Sequence, residues 1–224
     1  MPEPYIISVV SQKGGVGKST IARMIAVEFA LMDGGSFNVL LADMDPSQAT
    51  SYLWSERRKE NDYNPDIHAR PYSSPDQLLA DADKYHIVVI DGAPNASRDT
   101  LKIAQLAHVT IIPTGTSRDD LVPTIKLAYE LEQNGISPGT IVFGLNRLGS
   151  SPVENNEARD YLEQTGYRVA KGELRDMVTY RRASDLGRAI TETYLGELNH
   201  RAREFFRSLL KELLDADQEQ ARER

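Results

Sequence analysis

Cysteine is absent from the 224-residue chain, which excludes disulfides, thiolate-bound zinc, iron–sulfur clusters and a cysteine nucleophile. Histidine is scarce, and its four residues have no spacing typical of a metal site. No run approaches the roughly 18 apolar residues of a membrane span, and the first residues lack the basic and apolar regions of a secretory signal. We therefore expect a cytoplasmic protein.

Basic residues are fewer than acidic ones: the chain has 26 Lys and Arg and 33 Asp and Glu, for a net charge of −7. This balance argues against a protein that coats nucleic acid with its whole surface. It does not exclude a local basic patch, since the window from Arg168 to Arg188 has more basic than acidic residues. The six basic residues of this window are Arg168, Lys171, Arg175, Arg181, Arg182 and Arg188.

Short apolar, β-branched runs recur along the chain and indicate strands buried on both faces. They are Tyr5–Val10, Asn38–Ala42, His86–Ile90, His108–Ile112 and Thr140–Leu145. Amphipathic helical patterns alternate with them, one ending at Gly34-Gly35 and one covering Leu121–Asn134. This alternation predicts an α/β fold with a doubly wound, mostly parallel sheet and helices on both faces.

The chain shows no internal repeat or low-complexity linker, so we expect a single domain over residues 1–224. A helical segment is predicted at about 186–216, followed by a charged, fraying tail at 217–224. The helical segment carries an apolar stripe of Phe205, Phe206, Leu209, Leu210, Leu213 and Leu214. We expect this stripe to pack on the sheet.

A glycine-rich segment follows the first predicted strand and precedes a helix. Its residues are Ser11, Gln12, Lys13, Gly14, Gly15, Val16, Gly17, Lys18, Ser19 and Thr20. Glycines let successive backbone N–H groups turn toward phosphate oxygens, and a helix N-terminus adds partial positive charge there. Lys18 supplies a charge to the β- and γ-phosphates, and the Ser19 hydroxyl is a ligand for Mg²⁺. The segment departs from the usual phosphate loop because Gln12 stands at the first glycine position and Lys13 precedes Gly14.

Two further predicted strands end in carboxylates. Asp43 and Asp45 follow the second strand within Asp43-Met44-Asp45-Pro46, and Asp91 ends the strand Ile87–Ile90. An acid at a strand end beside a phosphate loop is suited to reach the water shell of Mg²⁺, which assigns Asp91 to the metal.

Together these motifs resemble the ParA/MinD family of deviant Walker ATPases, and within it the small ParA-type plasmid partition ATPases. The resemblance extends from Tyr5 to about Glu192. It implies that Lys13 is the signature lysine, which reaches across a nucleotide-sandwich dimer to the phosphates held by the other subunit. It also implies that Asp43 orients the attacking water, that Asp45 lies near the metal, and that Asn146 binds the adenine edge.

The resemblance implies ATP and Mg²⁺ as cofactors, with Lys13, Lys18 and Asp43 as catalytic residues. The nucleotide would be held by Gly14, Gly15, Val16, Gly17, Lys18, Ser19, Thr20 and Asn146, and the metal by Ser19, Asp45 and Asp91. The family pattern has Gln directly after Asp-x-Asp-Pro, whereas this chain has Ser47 and then Gln48. This difference leaves the role of that side chain open.

A ParA-type protein would form a homodimer bridged by ATP and bind DNA without sequence preference. It would associate with the nucleoid in the ATP state, and a ParB-like or small centromere-binding partner would stimulate hydrolysis to drive plasmid partition. We expect Arg168, Lys171, Arg175, Arg188 and Arg203 to bind DNA and no stable membrane insertion.

Other functions stay open. A MinD-like membrane-associated ATPase would use the C-terminal stripe as an amphipathic anchor, although residues 201–224 carry equal numbers of basic and acidic residues, unlike most helices that bind anionic lipid. A ParA-like ATPase that positions a protein cargo would have the same motifs. A metabolic enzyme such as an ATP-dependent carboxylating synthetase would lack the Lys13-Gly14-Gly15 signature, and a nitrogenase-iron-protein-like reductase would need cysteines.

Overall fold

The computed structural model describes residues 3–94 and 98–223, and within these residues seven parallel strands form one sheet in the order β3-β2-β4-β1-β5-β6-β7. The strands are β1 Tyr5–Val9, β2 Val39–Asp43, β3 His68–Pro71, β4 Ile87–Asp91, β5 Val109–Thr114, β6 Ile141–Leu148 and β7 Arg168–Arg175. The helices are α1 Lys18–Leu31, α2 Thr50–Glu60, α3 Pro75–Ala82, α4 Arg98–Leu106, α5 Arg118–Gln133, α6 Pro152–Glu163, α7 Val178–Asp185 and α8 Gly196–Glu223. Short 3₁₀ turns cover Met32–Gly35, Pro138–Thr140 and Ile190–Glu192.

Helices cover both faces of the sheet, which confirms the predicted doubly wound α/β fold. Adjacent residues of one strand enter opposite cores: Leu41 packs under α1, α2, α7 and α8, whereas Leu40 packs under α3, α4, α5 and α6. Both side chains are fully buried. The continuous hydrophobicity of the central strands follows from this two-sided burial.

The five predicted strands are present, with ends shifted by a few residues. The two edge strands, β3 and β7, were not predicted, because each is only partly buried and carries polar residues on its open side. Strand β7 occupies the first part of the basic window. A sequence pattern of buried strands therefore identified the centre of the sheet and missed its edges.

The C-terminal helix α8 packs across β6 and β7. Phe205, Phe206, Leu209 and Leu213 of the apolar stripe are buried, whereas Leu214 is 52% exposed. Gly172 of β7 permits this close approach, since a Cβ atom there would lie 2.6 Å from the Cα atom of Phe205. The stripe is thus part of the core, as expected from the sequence.

Helix α8 continues beyond its predicted end near residue 216 and reaches Glu223, within the segment expected to be a tail. Packing persists at the extension, because Ala216 is buried and the Tyr5 hydroxyl donates to Asp217 Oδ1 over 3.0 Å. Arg224 lies outside the described residues. Among the described helices, none is long and apolar enough to cross a membrane.

Candidate functional site

The glycine-rich segment forms the turn between β1 and α1, at the carboxyl ends of the central strands. Gly15 and Gly17 have φ angles of 78° and 95°, in the left-handed region that glycine adopts without strain. Space is also restricted at Gly17, where a Cβ atom would lie 2.0 Å from the Asn146 amide nitrogen. The loop leads directly into α1 at Lys18, so the positive end of the helix faces the same point. This geometry is that of a phosphate-binding loop.

Lys18 is buried beneath the loop, with 8% of its surface exposed. Burial lowers the pKa of its ammonium group, and the carboxylates of Asp91 and Asp45 oppose this shift. An anionic phosphate at the loop would add a further partner for the charge of Lys18.

Asp43 and Asp91 end neighbouring strands and lie in register across β2 and β4. Asp91 is buried, and its Oδ2 atom accepts a hydrogen bond of 2.6 Å from the Ser51 hydroxyl. Burial raises the pKa of Asp91, against the effects of the Ser51 and Ser19 hydroxyls and the Arg23 charge. Its Oδ1 atom has no hydrogen-bond partner among the described residues.

An unpartnered buried carboxylate oxygen beside Ser19 and Lys18 fits the requirements of a magnesium site. The described residues contain no cluster of three or more His, Asp or Glu that would form a metal cage by itself. Mg²⁺ bound with nucleotide needs few protein ligands, because phosphates and waters complete its octahedron. Ser19 and Asp91 are residues that could hold Mg²⁺ together with a bound nucleotide, and metal binding by them stays a prediction.

Asp43 is held at the N-terminus of α2 by three backbone amides. Its Oδ1 atom accepts from the Asp45 amide at 3.0 Å, and its Oδ2 atom accepts from the Ser51 and Tyr52 amides at 2.7 and 3.2 Å. Asp45 lies in a local turn instead, where the Ser47 hydroxyl and the Gln48 amide donate to its Oδ1 atom. The structure thus fixes Asp43 rigidly and leaves Asp45 half-buried at the rim, close enough to act on the charge of Lys18.

Lys13 points away from the loop that it flanks. Its ammonium group contacts Asp120 Oδ1 and donates to the Asp119 carbonyl at 3.2 Å, both at the start of α5. The Ser117 hydroxyl donates to the other oxygen of Asp120 at 2.8 Å. Lys13 lines a cavity together with Gly14, Gly15 and Val16 of the loop, and 40% of its side chain is exposed to solvent.

A cavity of about 510 Å³ opens beside the loop and is lined by residues from the loop, the end of β6 and α7. Its walls include Gly15, Gly17, Thr20, Asn146, Arg147, Met177, Val178, Tyr180 and Arg181. The Asn146 side chain lies at this cavity, where its amide nitrogen donates to the Val16 carbonyl at 2.7 Å. Asn146 thus contacts the phosphate loop, and adenine binding by this residue stays a prediction.

Three residues of the site were missed from the sequence. Arg147 has a left-handed φ of 60°, contacts the Gly15 carbonyl and pairs with Asp176. Ser51 and Arg23 connect the carboxylates to α1 and α2 through buried hydrogen bonds. No sequence spacing distinguishes Ser51 and Arg23 from ordinary helix positions, whereas Asn146 and Arg147, near the end of β6, directly follow the predicted strand Thr140–Leu145.

The five residues predicted to bind DNA do not form one patch. Lys171 and Arg175 line a groove of about 380 Å³ between β7 and α8, together with Arg201. Arg168 pairs with Glu212 at 3.1 Å, and Arg203 lies 3.6 Å from Glu28. Arg188 packs over the Tyr63 ring, with its guanidinium carbon 4.4 Å from the ring centroid. Lys171 and Arg175 thus line one groove, the remaining three have partners on other elements, and DNA binding by all five stays a prediction.

Comparison with known proteins shows the family of the chain. The profile of the CobQ/CobB/MinD/ParA nucleotide binding domain matches residues 7–190. A relative from Gloeobacter kilaueensis, the maintenance of carboxysome distribution protein A, is 27% identical over an alignment of 216 positions, which covers 94% of this chain and 94% of that one.

Two solved structures share the fold at low identity. A plasmid partition protein from Borrelia burgdorferi B31 bound to AMPPNP has a TM-score of 0.70 at 17% identity, over 93% of this chain and 99% of that one. The septum site-determining protein MinD of Pyrococcus horikoshii complexed with Mg-ADP also has a TM-score of 0.70, at 18% identity over 92% and 94%. Because the match to this nucleotide-binding domain extends from β1 to the start of the 3₁₀ turn at Ile190, the chain belongs to the CobQ/CobB/MinD/ParA family of nucleotide-binding proteins.

Proposed function

We propose that this protein is a Mg²⁺–ATP-dependent ATPase of the ParA type, which dimerises on ATP, binds DNA without sequence preference and drives the partitioning of DNA such as a plasmid. The observation that carries the proposal is the pair of lysines on one loop. Lys18 is buried, whereas the Lys13 side chain is 40% exposed and extends to Asp120 of α5. One lysine is suited to phosphates bound in the same chain, and the other to phosphates bound in a second copy.

Several residues of the chain would contribute to ATP hydrolysis, each with a different role. The loop amides and Lys18 bind the phosphates, and Lys13 of a second copy adds a charge as the dimer closes. Asp43 would align the attacking water, since its three backbone hydrogen bonds hold the carboxylate in one orientation. Mg²⁺, bound by Ser19 and Asp91 with Asp45 nearby, would neutralise charge on the phosphates.

DNA would be bound by a groove that carries basic side chains. The groove between β7 and α8 gathers Lys171, Arg175 and Arg201, but Glu173 and Glu204 also line it. One such groove is a weak phosphate site, and a dimer would double the contacts on one rigid surface. DNA affinity would therefore depend on ATP.

A DNA shift assay with ATP over a range of salt tests this part. Lys171→Ala and Arg175→Ala should each flatten the log–log salt dependence by about one. Arg168→Ala is the matched control from the same strand, because its partner Glu212 leaves it engaged within the chain. If Lys171→Ala and Arg175→Ala bind DNA as the parent does, the groove is not the DNA surface.

A protein cargo is the second candidate, and the carboxysome distribution relative favours it. The ATPase cycle would be the same in both cases, and the partner that stimulates hydrolysis would differ. Adding the product of the neighbouring reading frame to an ATPase assay separates them. A small basic DNA-binding protein that stimulates turnover supports DNA partition, and an activator that binds a protein assembly supports the second candidate.

The membrane-associated alternative has less support. The membrane anchor would be the apolar stripe of α8. Four of its six residues are buried in the core, namely Phe205, Phe206, Leu209 and Leu213. Using these residues in a bilayer would require α8 to leave the core. Sedimentation with vesicles of anionic phospholipid in the presence of ATP would reveal such binding.

A further inference from the structure

Ser51 joins the two carboxylates of the site. It lies in the first turn of α2, is fully buried and has three polar contacts. Its amide donates to Asp43 Oδ2 at 2.7 Å, its hydroxyl donates to Asp91 Oδ2 at 2.6 Å, and its oxygen accepts from Arg23 Nε at 3.1 Å. One residue therefore contacts both acids, the proposed water-aligning Asp43 through its backbone amide and the proposed metal acid Asp91 through its hydroxyl.

The direction of this hydrogen-bond chain is fixed by chemistry. A guanidinium has donors only, so the Ser51 oxygen must accept from Arg23. A serine hydroxyl has one hydrogen, which then has only Asp91 as its acceptor. The chain runs from Arg23 through Ser51 to Asp91, and it holds Asp91 Oδ2 so that Oδ1 is the oxygen left unpartnered.

Arg23 is itself held in place on α1. It is 7% exposed, its Nη1 atom donates to the Ser184 hydroxyl of α7 at 2.8 Å, and its guanidinium carbon lies 5.7 Å from the Trp54 ring centroid. Burial lowers the pKa of Arg23 to about 10, with Asp91 opposing the shift, so the group stays charged at neutral pH. Because Ser184 also lines the 510 Å³ cavity, the chain extends from the nucleoside side of the site to the metal side.

We infer that Ser51 is a positioning residue that orients Asp91 for Mg²⁺ and Asp43 for water, with Arg23 fixing the direction of its hydroxyl. The inference rests on the proposed ATPase function and adds a determinant of metal binding to it. Outer-shell partners of this kind affect metal affinity or activity by roughly 10- to 100-fold. Removing the hydroxyl leaves the Asp43 contact in place, because that contact uses the backbone.

The test measures binding of a fluorescent ADP analogue with and without Mg²⁺, for the parent and three variants. In Ser51→Ala the gain in affinity on adding Mg²⁺ should fall about tenfold or more, while affinity in EDTA stays within about twofold of the parent. Ser51→Thr, which keeps the hydroxyl, should retain the Mg²⁺ gain. Ser55→Ala is the matched control, since Ser55 lies one turn later on α2, is also buried, and donates only to the Tyr52 carbonyl.

The outcomes separate the two claims. If the parent binds the analogue without any Mg²⁺ dependence, the proposed function is overturned. If the parent shows the dependence and Ser51→Ala matches Ser55→Ala, only the role of Ser51 is overturned. Should Ser51→Ala fail to fold in a nucleotide-free melt, Arg23→Lys replaces it, because the single ammonium lacks the guanidinium geometry that reaches Ser51 and Ser184 together. The same loss of the Mg²⁺ gain in Arg23→Lys supports the inference, and an unchanged gain overturns it.

Discussion

The ammonium group of Lys13 lies against the carboxylate of Asp120 within the same chain. Asp120 is held by the Ser117 hydroxyl, and Gly115 leaves the space that its carboxylate fills. A lysine that is to contact phosphates in a second copy must first leave this partner. In the proposed ATP-bound dimer, the free energy of this ion pair would therefore oppose dimerisation.

Asp120→Asn should weaken the hold on Lys13 and let the dimer form at lower ATP concentration. A shift of several-fold is expected, the size of a partly exposed ion pair of up to about 1 kcal/mol. Asp119→Asn is the control, because only the backbone carbonyl of Asp119 contacts Lys13. Equal ATP thresholds for both variants in light scattering would show that Asp120 does not restrain Lys13.

Lys18→Ala should weaken nucleotide binding itself, since the buried ammonium lies where the loop holds the phosphates. A loss of at least tenfold in ADP affinity is expected, because a charge-assisted contact of roughly 1.5–3 kcal/mol disappears. Calorimetric titration with ADP gives the affinity directly. Unchanged affinity would place the phosphates away from Lys18.

Asp43→Ala should reduce ATP turnover about a hundredfold or more while an ATP-bound dimer accumulates, as for loss of a group that acts in the transition state. Asp43→Ala should also lower the stability of the fold, because three backbone amides lose their hydrogen-bond acceptor. Each buried donor left unpaired costs roughly 1–3 kcal/mol, so this variant should also melt at lower temperature.

Asp43→Asn separates the two effects, because the amide oxygen still accepts hydrogen bonds from the α2 terminus. We expect its turnover to fall with that of Asp43→Ala while its melting temperature stays closer to that of the parent. Normal turnover in Asp43→Asn would assign the water-aligning role to another residue.

Arg58 is a buried stabilising residue outside the candidate site. It is fully buried on α2, pairs with both oxygens of Glu192 at 2.6 and 2.8 Å, and donates to the Pro65 carbonyl at 2.7 Å. Arg58→Ala should lower the free energy of unfolding by about 3–5 kcal/mol, because Glu192 loses its charged partner. Arg70→Ala is the control: Arg70 is half-exposed in its pair with Asp81, and the loss of such a surface pair should cost far less. Similar urea midpoints for the two variants would contradict this account.

The centre of the fold was predictable because burial on both faces leaves a local signal. Each central strand shows a nearly continuous apolar run, and the phosphate loop has glycines at positions that require a left-handed φ or close approach. The edge strand β7 has no such run, since its sequence alternates partial burial with charge. The charged residues of β7 therefore led to the prediction of a basic surface, and no strand was predicted there.

The site was only partly predictable for a related reason. Lys18, Asp43 and Asp91 occupy motif positions that are close in sequence to the loop or to a strand end. The partners of these residues come from distant positions, such as Ser51 for Asp91 and Asp120 for Lys13. Ion pairs with α1 and α8 likewise occupy Arg203 and Arg168, which no local charge count can reveal.

The central claim is that ATP joins two copies of this chain through Lys13. Multi-angle light scattering of the parent and of Lys13→Ala, each with saturating Mg²⁺ and a non-hydrolysable ATP analogue, tests it most directly. The account predicts that the parent changes from the 25.0 kDa chain to about twice that mass, whereas Lys13→Ala binds the analogue and remains at 25.0 kDa. A parent that stays at 25.0 kDa with nucleotide bound, or a Lys13→Ala protein that doubles its mass as the parent does, would contradict the account.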